Sequence, residues 1–238
     1  MNISNKFNIK NWNESYDRGE NNILYPQPEV VKFLNRFIRK KVDYSGRFIN
    51  ILNKNSNNER KIIALDFGCG VARHAILMDE FGIEAYGLDV SDSAIKKARE
   101  NCKSFGLEKL INRLNVIKDH KILFEDNFFD FSIAESSLDS MTFENAKIYF
   151  KEISRVTKKY IHLTLISSET TQVADFAGDI TVKSNHEKGT IQSYYNLEKI
   201  NSLLNEVNCK IIFNRKINEV SQIDNFVHTR FHLVIELK

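Results

Sequence analysis

The segment Ala64 to Ala75, which reads ALDFGCGVARHA, constrains the fold of this chain more than any other. A short apolar run gives way there to helical spacing, which predicts a turn between a buried strand and a helix. Gly68 and Gly70 let the backbone turn tightly and approach a ligand closely. The helix that follows presents unpaired N–H groups in its first turn. We therefore expect a ligand-binding loop at this point.

Apolar runs alternate with helically spaced segments after residue 60, which predicts a doubly wound α/β sheet with its ligand crevice at the carboxyl ends of the strands. The last two runs have no room for a helix between them, so they should pair antiparallel. We thus expect seven strands, mostly parallel with an antiparallel C-terminal strand. The strand runs are KIIALDF, IEAYGLDV, INRLNVIKD, FFDFSIAE, KYIHLTLI, CKIIFNRKI and FHLVIEL.

Two acidic residues and one basic residue narrow the choice of ligand. Asp89 ends the second strand, about twenty residues beyond the loop, where a carboxylate can bind ribose hydroxyls. A dinucleotide fingerprint needs a glycine where Arg73 stands. Asp66, just before the loop, would repel a pyrophosphate but suits a ligand that carries an ammonium group. A nucleoside with a cationic group is therefore indicated.

These residues resemble the class I S-adenosylmethionine-dependent methyltransferases. LDFGCGVAR is similar to the family's first motif, D/E-x-G-x-G-x-G, with Ala72 at the third glycine. LDVS, which contains Asp89, is similar to the second motif, and the segment around Asp119 resembles the third motif without its proline. The usual Pro-Gly-Gly turn before the fifth strand is absent. The resemblance runs from Lys61 to the C-terminus and implies a Rossmann-like sheet, with S-adenosylmethionine as cofactor and S-adenosylhomocysteine as product.

The resemblance also implies residue roles. Asp66 would bind the methionine ammonium, Asp89 the ribose, and Asp119 the adenine amino group. Glu135 and Ser136, at the end of the fourth strand, would line the methyl-transfer centre. No metal ligand is expected. The expected cofactor-binding residues are Asp66, Gly68, Cys69, Gly70, Arg73, Asp89, Val90, Asp119, His120, Glu135, Ser136, Trp12 and Tyr16.

The first sixty residues form a predicted N-terminal lid and helical segment, followed by a methyltransferase domain at 61–238, the whole being one structural domain. NWNESYDRGENNILYPQPEVV resembles the W-x-x-x-Y lead-in of small-molecule methyltransferases, which implies a lid that carries Trp12 and Tyr16. A helix should begin at Pro28, with a basic, solvated helical end at Arg36 to Lys41. The polar stretch 53–60 is the expected boundary. The insert at 168–190 is long for a connection, so we expect it to cover the acceptor.

Methyl transfer is an in-line displacement, in which the enzyme mainly supplies position and orientation. A hydroxyl or ammonium acceptor also benefits from a general base. Glu135 and Tyr16 are the candidate catalytic residues. We expect His74 on a helix surface and His186 in solvent. The wider pool of bases is His74, His120, His186, Tyr25, Tyr194 and Tyr195.

Composition narrows the setting and the partners. The formal net charge is only +3, which favours a small-molecule acceptor and disfavours a nucleic-acid partner. The cysteines Cys69, Cys102 and Cys209 are too widely spaced for a metal knuckle and fit a reducing cytoplasm. No apolar stretch is long enough to span a membrane, and the polar N-terminus does not resemble a secretory signal. Oligomeric state is left open.

Three subclasses of methyltransferase fit the sequence poorly. ESSL follows the fourth strand, where DNA amino-methyltransferases have D/N-P-P-Y/W/F. SSETT follows the fifth strand, where catechol-type enzymes have an Asp–Asn pair for Mg²⁺. Glu135 and Glu144 share the spacing of the double-glutamate loop of protein arginine methyltransferases, but Glu144 better suits the first turn of a helix.

The sequence therefore predicts metal-independent transfer of a methyl group from S-adenosylmethionine to a small polar acceptor, at oxygen or nitrogen. Three alternatives stay open at this point. They are a non-catalytic cofactor-binding paralogue, an NAD-dependent oxidoreductase, and an RNA or protein methyltransferase.

Overall fold

A computed structural model of the chain describes residues 3–43, 45–52, 61–173 and 175–238. Its helices are α1 (Ile3–Asp17), α2 (Pro28–Phe33), α3 (Arg73–Glu80), α4 (Asp92–Ser104), α5 (Glu108–Ile111), α6 (Phe143–Val156) and α7 (Leu197–Leu204). Its strands are β1 (Arg39–Lys41), β2 (Phe48–Asn50), β3 (Ile63–Phe67), β4 (Glu84–Asp89), β5 (Leu114–Val116), β6 (Phe129–Ala134), β7 (Thr157–Ile166), β8 (Asp179–Thr181), β9 (Ile191–Ser193), β10 (Cys209–Val220) and β11 (Val227–Leu237).

Seven strands form one sheet in the order β10-β11-β7-β6-β3-β4-β5. The strands from β5 to β7 across the sheet are parallel, and β11 pairs antiparallel with both β7 and β10. The predicted doubly wound, mostly parallel sheet with an antiparallel C-terminal strand is confirmed. All six residues of β6 are buried, because helices cover both faces of the sheet at its centre.

The helix ends follow from their capping residues. Ser91 caps α4 by accepting a hydrogen bond from the backbone N–H of Ala94 at 3.0 Å, as its position before the helix predicts. Gly82 and Gly106 have positive φ angles of 64° and 70° and follow the ends of α3 and α4, where glycine suits the left-handed conformation. The chain enters β4 after Gly82 and α5 after Gly106.

The N-terminal segment contains two helices with different surroundings. Helix α2 begins at Pro28 as predicted and continues into a π-helical turn, Leu34–Ile38. Val30, Leu34 and Ile38 of this unit are fully buried in the core beside the sheet. By contrast, α1 lies at the carboxyl ends of the strands, where it contacts α4 and the connection after β6.

The prediction of a helical basic end at Arg36 to Lys41 is wrong. The helix ends at Ile38, and Arg39 is already extended, with φ −152° and ψ 119°. Residues 39–41 form β1, which pairs antiparallel with β2. The Arg39 guanidinium donates to the carbonyl oxygens of Phe81 and Gly82, at 2.9 and 3.1 Å, instead of facing solvent along a helix.

The insert at 168–190 contains a 3₁₀ turn, Thr171–Val173, and strand β8, which pairs antiparallel with β9. The polar stretch 53–60, expected to be the boundary between lid and domain, lies outside the described residues. Among the helices described, none combines the length and apolar character needed to cross a membrane.

Candidate active site

The glycine loop joins β3 to α3 and packs tightly against its neighbours. Gly68 and Gly70 have positive φ angles of 68° and 52°. A Cβ atom on Gly70 would lie 2.6 Å from the Tyr16 hydroxyl, and one on Gly68 would collide with Ser137. Ala72, at the third motif position, has φ 67°, a conformation that costs a non-glycine residue about 1–2 kcal/mol. Backbone conformation and close packing therefore account for the glycines at 68 and 70.

Asp89 fixes this loop to the end of β4. Its carboxylate accepts hydrogen bonds from the backbone N–H groups of Gly70 and Ser91, both at 2.9 Å. Burial raises the pKa of the Asp89 carboxyl, and the two backbone hydrogen bonds act in the opposite direction. Asp89 lines the cleft beside the loop, which is where the sequence places a ribose-binding carboxylate.

Asp66 lies below the loop and does not line the cleft. Its carboxylate accepts a hydrogen bond at 3.1 Å from the backbone N–H of Ala75, in the first turn of α3. Burial raises the pKa of Asp66 to about 7, although the nearby Arg73 guanidinium favours the ionised form. In the structure this carboxylate supports the strand-to-helix turn from beneath.

An apolar pocket extends from Asp89 along the end of the sheet. Val90, Ile117, Met141 and Tyr149 line it. Asp119 is exposed and lies outside the lining, as does His120, whose ring centroid is 5.2 Å from that of Tyr149. Of the residues predicted to contact adenine, Val90 therefore lines the pocket, whereas Asp119 and His120 do not.

Helix α1 covers the glycine loop. The Trp12 indole N–H donates to the carbonyl oxygen of Ser140 at 3.3 Å. Asn13 accepts from the Ser91 hydroxyl at 2.6 Å, and Lys97 donates to the backbone carbonyl of Tyr16. Burial of the Tyr16 hydroxyl, followed by the charge of Asp89, raises the pKa of that phenol, so it stays protonated. Trp12 and Tyr16 thus lie together above the loop.

The 168–190 insert meets α1 at the outer edge of the site. The Asn11 amide donates to the carbonyl oxygen of Gly189 at 2.5 Å. Just outside the insert, the Ile191 N–H donates to Asn8 at 3.1 Å, and within it the Glu187 N–H donates to Glu20 at 2.9 Å. The insert and α1 therefore form one continuous cover.

Behind the loop lies a polar chamber of about 130 Å³ with a connected charge network. Arg73 contacts the Glu135 carboxylate at 3.2 Å, and the Ser136 hydroxyl donates to that carboxylate at 2.9 Å. Arg230, on β11, donates to the Ser136 hydroxyl at 2.9 Å and to Asp139 at 3.0 Å. Burial raises the pKa of Asp139 to about 6 against the effect of Arg230. Cys69 and Gly70 complete the loop side of the chamber.

The other candidate bases fall into two groups. His74 is buried, with its Nε2 accepting from the Gln27 N–H at 3.2 Å, so the expectation of a surface histidine is wrong. It packs inward because α3 is buried along the face that meets the N-terminal segment. His186 is 61% exposed, as predicted, and Tyr25 is 86% exposed. Tyr195 is buried, and its hydroxyl donates to the Leu138 carbonyl.

Tyr194 is also buried, and its hydroxyl donates to the Gln192 side chain at 3.0 Å. Glu144 lies in the first turn of α6 with its side chain 77% exposed, as predicted.

Several residues in the site were missed by sequence reasoning. Tyr149 belongs to the apolar face of α6, and that periodicity is its only sequence signal. Arg230 lies in the last strand, 94 positions from Ser136, and no local motif marks it. Other lining residues that the sequence did not indicate include Asn8, Ile117, Met141, Ser137, Ser140 and Gln192.

Comparison with known proteins connects this geometry to a family. A family described as a methyltransferase domain matches residues 58–222, which is well over half of the chain. The chain belongs to this family. The methyltransferase domain explains why a glycine loop, an acidic strand end and a polar chamber occur together. The predicted membership of the class I S-adenosylmethionine-dependent methyltransferases is confirmed, and the NAD-dependent oxidoreductase is set aside.

Solved structures share the fold of this methyltransferase. A 1,6-didemethyltoxoflavin-N1-methyltransferase from Burkholderia thailandensis has a TM-score of 0.68 at 11% identity, covering 100% of this chain and 92% of that one. A SAM-dependent methyltransferase from Methanosarcina mazei has a TM-score of 0.62 at 19% identity, covering 75% and 93%. A magnesium protoporphyrin IX methyltransferase from Synechocystis, with bound SAM, has a TM-score of 0.54 at 14% identity, covering 100% and 85%.

One curated relative matches in sequence. An uncharacterized protein of Haemophilus influenzae is 32% identical over 111 residues. The match covers 45% of this methyltransferase and 42% of that relative, so the chain spans less than half of its length.

Proposed function

We propose that this methyltransferase transfers a methyl group from S-adenosylmethionine to a small polar acceptor, at oxygen or nitrogen, without a metal ion. The observation that carries the proposal is the polar chamber behind the glycine loop. It lies against Gly68 and Gly70 on one side and is lined by Glu135, Arg73 and Arg230 on the other. A chamber of this kind suits an acceptor with hydrogen-bonding groups next to a cofactor bound along the loop.

The residues of the cleft fit S-adenosylmethionine. The Asp89 carboxylate suits the ribose hydroxyls, and the apolar pocket with Val90, Ile117 and Tyr149 suits a flat adenine. The Ser137 hydroxyl is buried beside the loop and has no hydrogen-bond partner among the described residues, which leaves it available to a ligand. When bound, the cofactor supplies an electrophilic methyl group on a sulfonium.

The side chains around the chamber orient the acceptor and exclude water. In this proposal the protonated Tyr16 phenol donates one hydrogen bond to the acceptor. The Glu135 carboxylate, held between Arg73 and the Ser136 hydroxyl, accepts one from it. We assign Glu135 and Tyr16 to contact with the acceptor and Arg73 to the positioning of Glu135. Helix α1 and the insert close over this region, which keeps water from the reacting atoms.

Three observations support a small-molecule acceptor without a metal. The toxoflavin and magnesium protoporphyrin methyltransferases that share this fold act on small molecules, as their names state. Glu169 is the acid that follows the fifth parallel strand, the place where catechol-type enzymes bind Mg²⁺. Here Glu169 forms an ion pair with Lys216 at 2.6 Å, so its carboxylate already has a partner. The weak net charge offers little attraction to a polyanion.

Calorimetry with S-adenosylhomocysteine tests the cofactor site. We expect saturable binding of S-adenosylhomocysteine and no binding of NAD. In Asp89→Asn the binding free energy should fall by about 1.5–3 kcal/mol, because a charged hydrogen bond to ribose is removed. Asp92→Asn removes the same charge at an exposed position in the first turn of α4 and should bind normally. Equal affinity in both variants would contradict the assignment of Asp89.

Incubation with methyl-labelled cofactor and metabolite extracts tests turnover. We expect label in a small polar product, in the presence of a metal chelator as well as in its absence. Label recovered in RNA or protein alone, or in no fraction at all, would favour the corresponding alternative function.

A further inference from the structure

A second cavity lies between the α2 unit and strands β7, β10 and β11. Its volume is about 420 Å³, within the range of small-molecule sites. It shares no lining residue with the cofactor cleft or the polar chamber. A smaller polar space lies next to this cavity. Glu29 and His232 line both spaces, and Glu135 and Arg230 line the smaller one. We call the larger space the aromatic cavity.

Aromatic rings form the walls of the aromatic cavity. Phe33 is buried and lies 5.0 Å from the His162 ring, and Phe37 lies 6.2 Å from Phe213, measured between ring centroids. The Arg36 guanidinium lies over Phe213 at 5.0 Å from its ring centroid. These rings pack against one another and form an apolar wall, and an aromatic ligand can pack against such a wall.

The rim of the aromatic cavity is cationic. Among the described lining residues the one carboxylate is Glu29, which is bound to Lys32 at 2.7 Å and reaches Arg215 only at 4.0 Å. Arg215 has a side chain 52% exposed, so its guanidinium keeps most of its bonding capacity toward a ligand. Arginine forks bind carboxylates with paired hydrogen bonds. The cationic lining residues are Lys32, Arg36, Lys40 and Arg215.

Two buried imidazoles line the floor of the aromatic cavity. His162 is 2% exposed and His232 is 8% exposed. The Nδ1 atom of each is buried and has no hydrogen-bond partner among residues 3–43, 45–52, 61–173 and 175–238. An unpaired buried polar atom costs roughly 1–3 kcal/mol.

Burial lowers the pKa of both histidines, that of His162 to about 3. The imidazoles are therefore neutral at physiological pH and can exchange hydrogen bonds with an uncharged hydroxyl group. The acid group of a ligand is then left to the arginines of the rim.

We propose that the aromatic cavity is a second small-molecule site, which binds a flat aromatic carboxylate that carries a ring hydroxyl. The ring packs against the wall formed by Phe33, Phe37 and Phe213. The carboxylate meets Arg36 and Arg215, and the hydroxyl meets the imidazoles. This site is independent of methyl transfer, so its test does not depend on turnover.

The first experiment titrates 2-naphthoate into the full chain by calorimetry, with S-adenosylhomocysteine present to fill the cofactor cleft. We expect saturable binding with one site per chain, and about tenfold weaker binding in Arg215→Gln, the loss expected for one charged hydrogen bond. Lys216→Gln is the matched control, because Lys216 is the next residue on β10, does not line the cavity, and pairs with Glu169. It removes the same charge and should leave binding unchanged.

Two further probes separate the ring, charge and hydroxyl contributions. We expect 2-naphthamide, which lacks the negative charge, to bind at least about tenfold more weakly than 2-naphthoate. We expect 6-hydroxy-2-naphthoate to bind more tightly than 2-naphthoate, with that gain lost in His162→Phe. Circular dichroism checks that each variant is folded, and His232→Phe is the second test of the imidazoles if His162→Phe is not.

Several results would overturn the proposal. These are the absence of saturable binding in the folded wild type, an equal loss in Arg215→Gln and Lys216→Gln, and competition between the probe and S-adenosylhomocysteine. A failure of cofactor binding in the separate calorimetry would instead count against the proposed function.

Discussion

Helices α1 and α2 are neighbours in the chain, but different interactions hold them in place. Hydrogen bonds anchor the described side chains of α1. Asn8 accepts from Ile191 of β9, Asn11 donates to Gly189 of the insert, and Asn13 accepts from Ser91 at the start of α4. The α2 unit instead buries Phe33 and Leu34 in the hydrophobic core. Because such polar contacts can be replaced by water at small net cost, α1 can move, whereas α2 cannot leave without exposing the core.

This contrast divides the predicted N-terminal unit by role. We expect α1 to open when the cofactor enters, since it covers the glycine loop. We expect α2 to stay in place and to support both the sheet and the aromatic cavity beside it.

The largest effect should come from truncating a core side chain of α2. Phe33→Ala removes a ring that is 2% exposed and packs 5.6 Å from Phe131, so we expect about 3–5 kcal/mol lower free energy of unfolding. Trp12→Ala, in α1, should lose less than Phe33→Ala in chemical denaturation while weakening binding of S-adenosylhomocysteine. If the two variants lost equal stability, the division between α1 and α2 would fail.

An intermediate effect should follow from crowding α1 against the loop. In Gly70→Ala the new methyl group meets the Tyr16 hydroxyl at 2.6 Å, so we expect about 1–3 kcal/mol lower stability and displacement of α1. The double variant Gly70→Ala with Tyr16→Phe should recover part of the loss.

Gly106→Ala is the matched control for this crowding. Gly106 has a similar positive φ of 70°, but a methyl group added there would meet nothing within 4 Å, so only backbone strain of about 1 kcal/mol is expected. Fluorescence of Trp12, the single tryptophan, reports the position of α1 in each variant. Unchanged fluorescence in Gly70→Ala would mean that the loop, not α1, absorbs the strain.

The pH dependence of stability concerns the carboxylate beneath the loop. Burial raises the pKa of Asp66 to about 7, from an ordinary value of 3.8, so the folded state holds this proton more tightly than the unfolded state. The free energy of unfolding therefore falls as pH rises from about 4 to about 7, through ionisation of this group. In Asp66→Asn, chemical denaturation should show a smaller decrease in the free energy of unfolding between about pH 4 and about pH 7 than in the wild type. Asp92→Asn, at an exposed position, is the control and should keep the pH dependence of the wild type. The same pH dependence in Asp66→Asn would contradict the assignment of this proton to Asp66.

The sequence was sufficient for the sheet, because strands buried on both faces leave continuous apolar runs and helices leave 3.6-residue periodicity. It also predicted the positions of Asp89 and Gly70, since glycine at a positive φ and an acid at a strand end are local requirements. The amphipathic pattern of α2 predicted a helix but could not say what the apolar face covers. Depth of burial depends on the tertiary partner, here Phe131 of β6.

The remaining parts of the site depend on contacts between distant segments. The Arg230 to Asp139 interaction joins residues 91 positions apart, and nothing local distinguishes Arg230 from other basic residues of the last strand. The break at Arg39 was missed because Arg36 to Lys41 continues a favourable helical composition. The hydrogen bonds of Arg39 with the end of α3, and the pairing of β1 with β2, favour the extended conformation instead.

The cover and the charge network of the chamber come from opposite ends of the described chain, with α1 before the sheet and Arg230 in its last strand. During synthesis the ribosome releases the N-terminal segment first, and domains generally fold as units. Helix α1 therefore emerges long before Gly189, which accepts a hydrogen bond from Asn11, and before Arg230, which lines the chamber. The central strands of the sheet can begin to assemble while the chamber is still open, because Arg230 lies in β11, the last strand of the sheet.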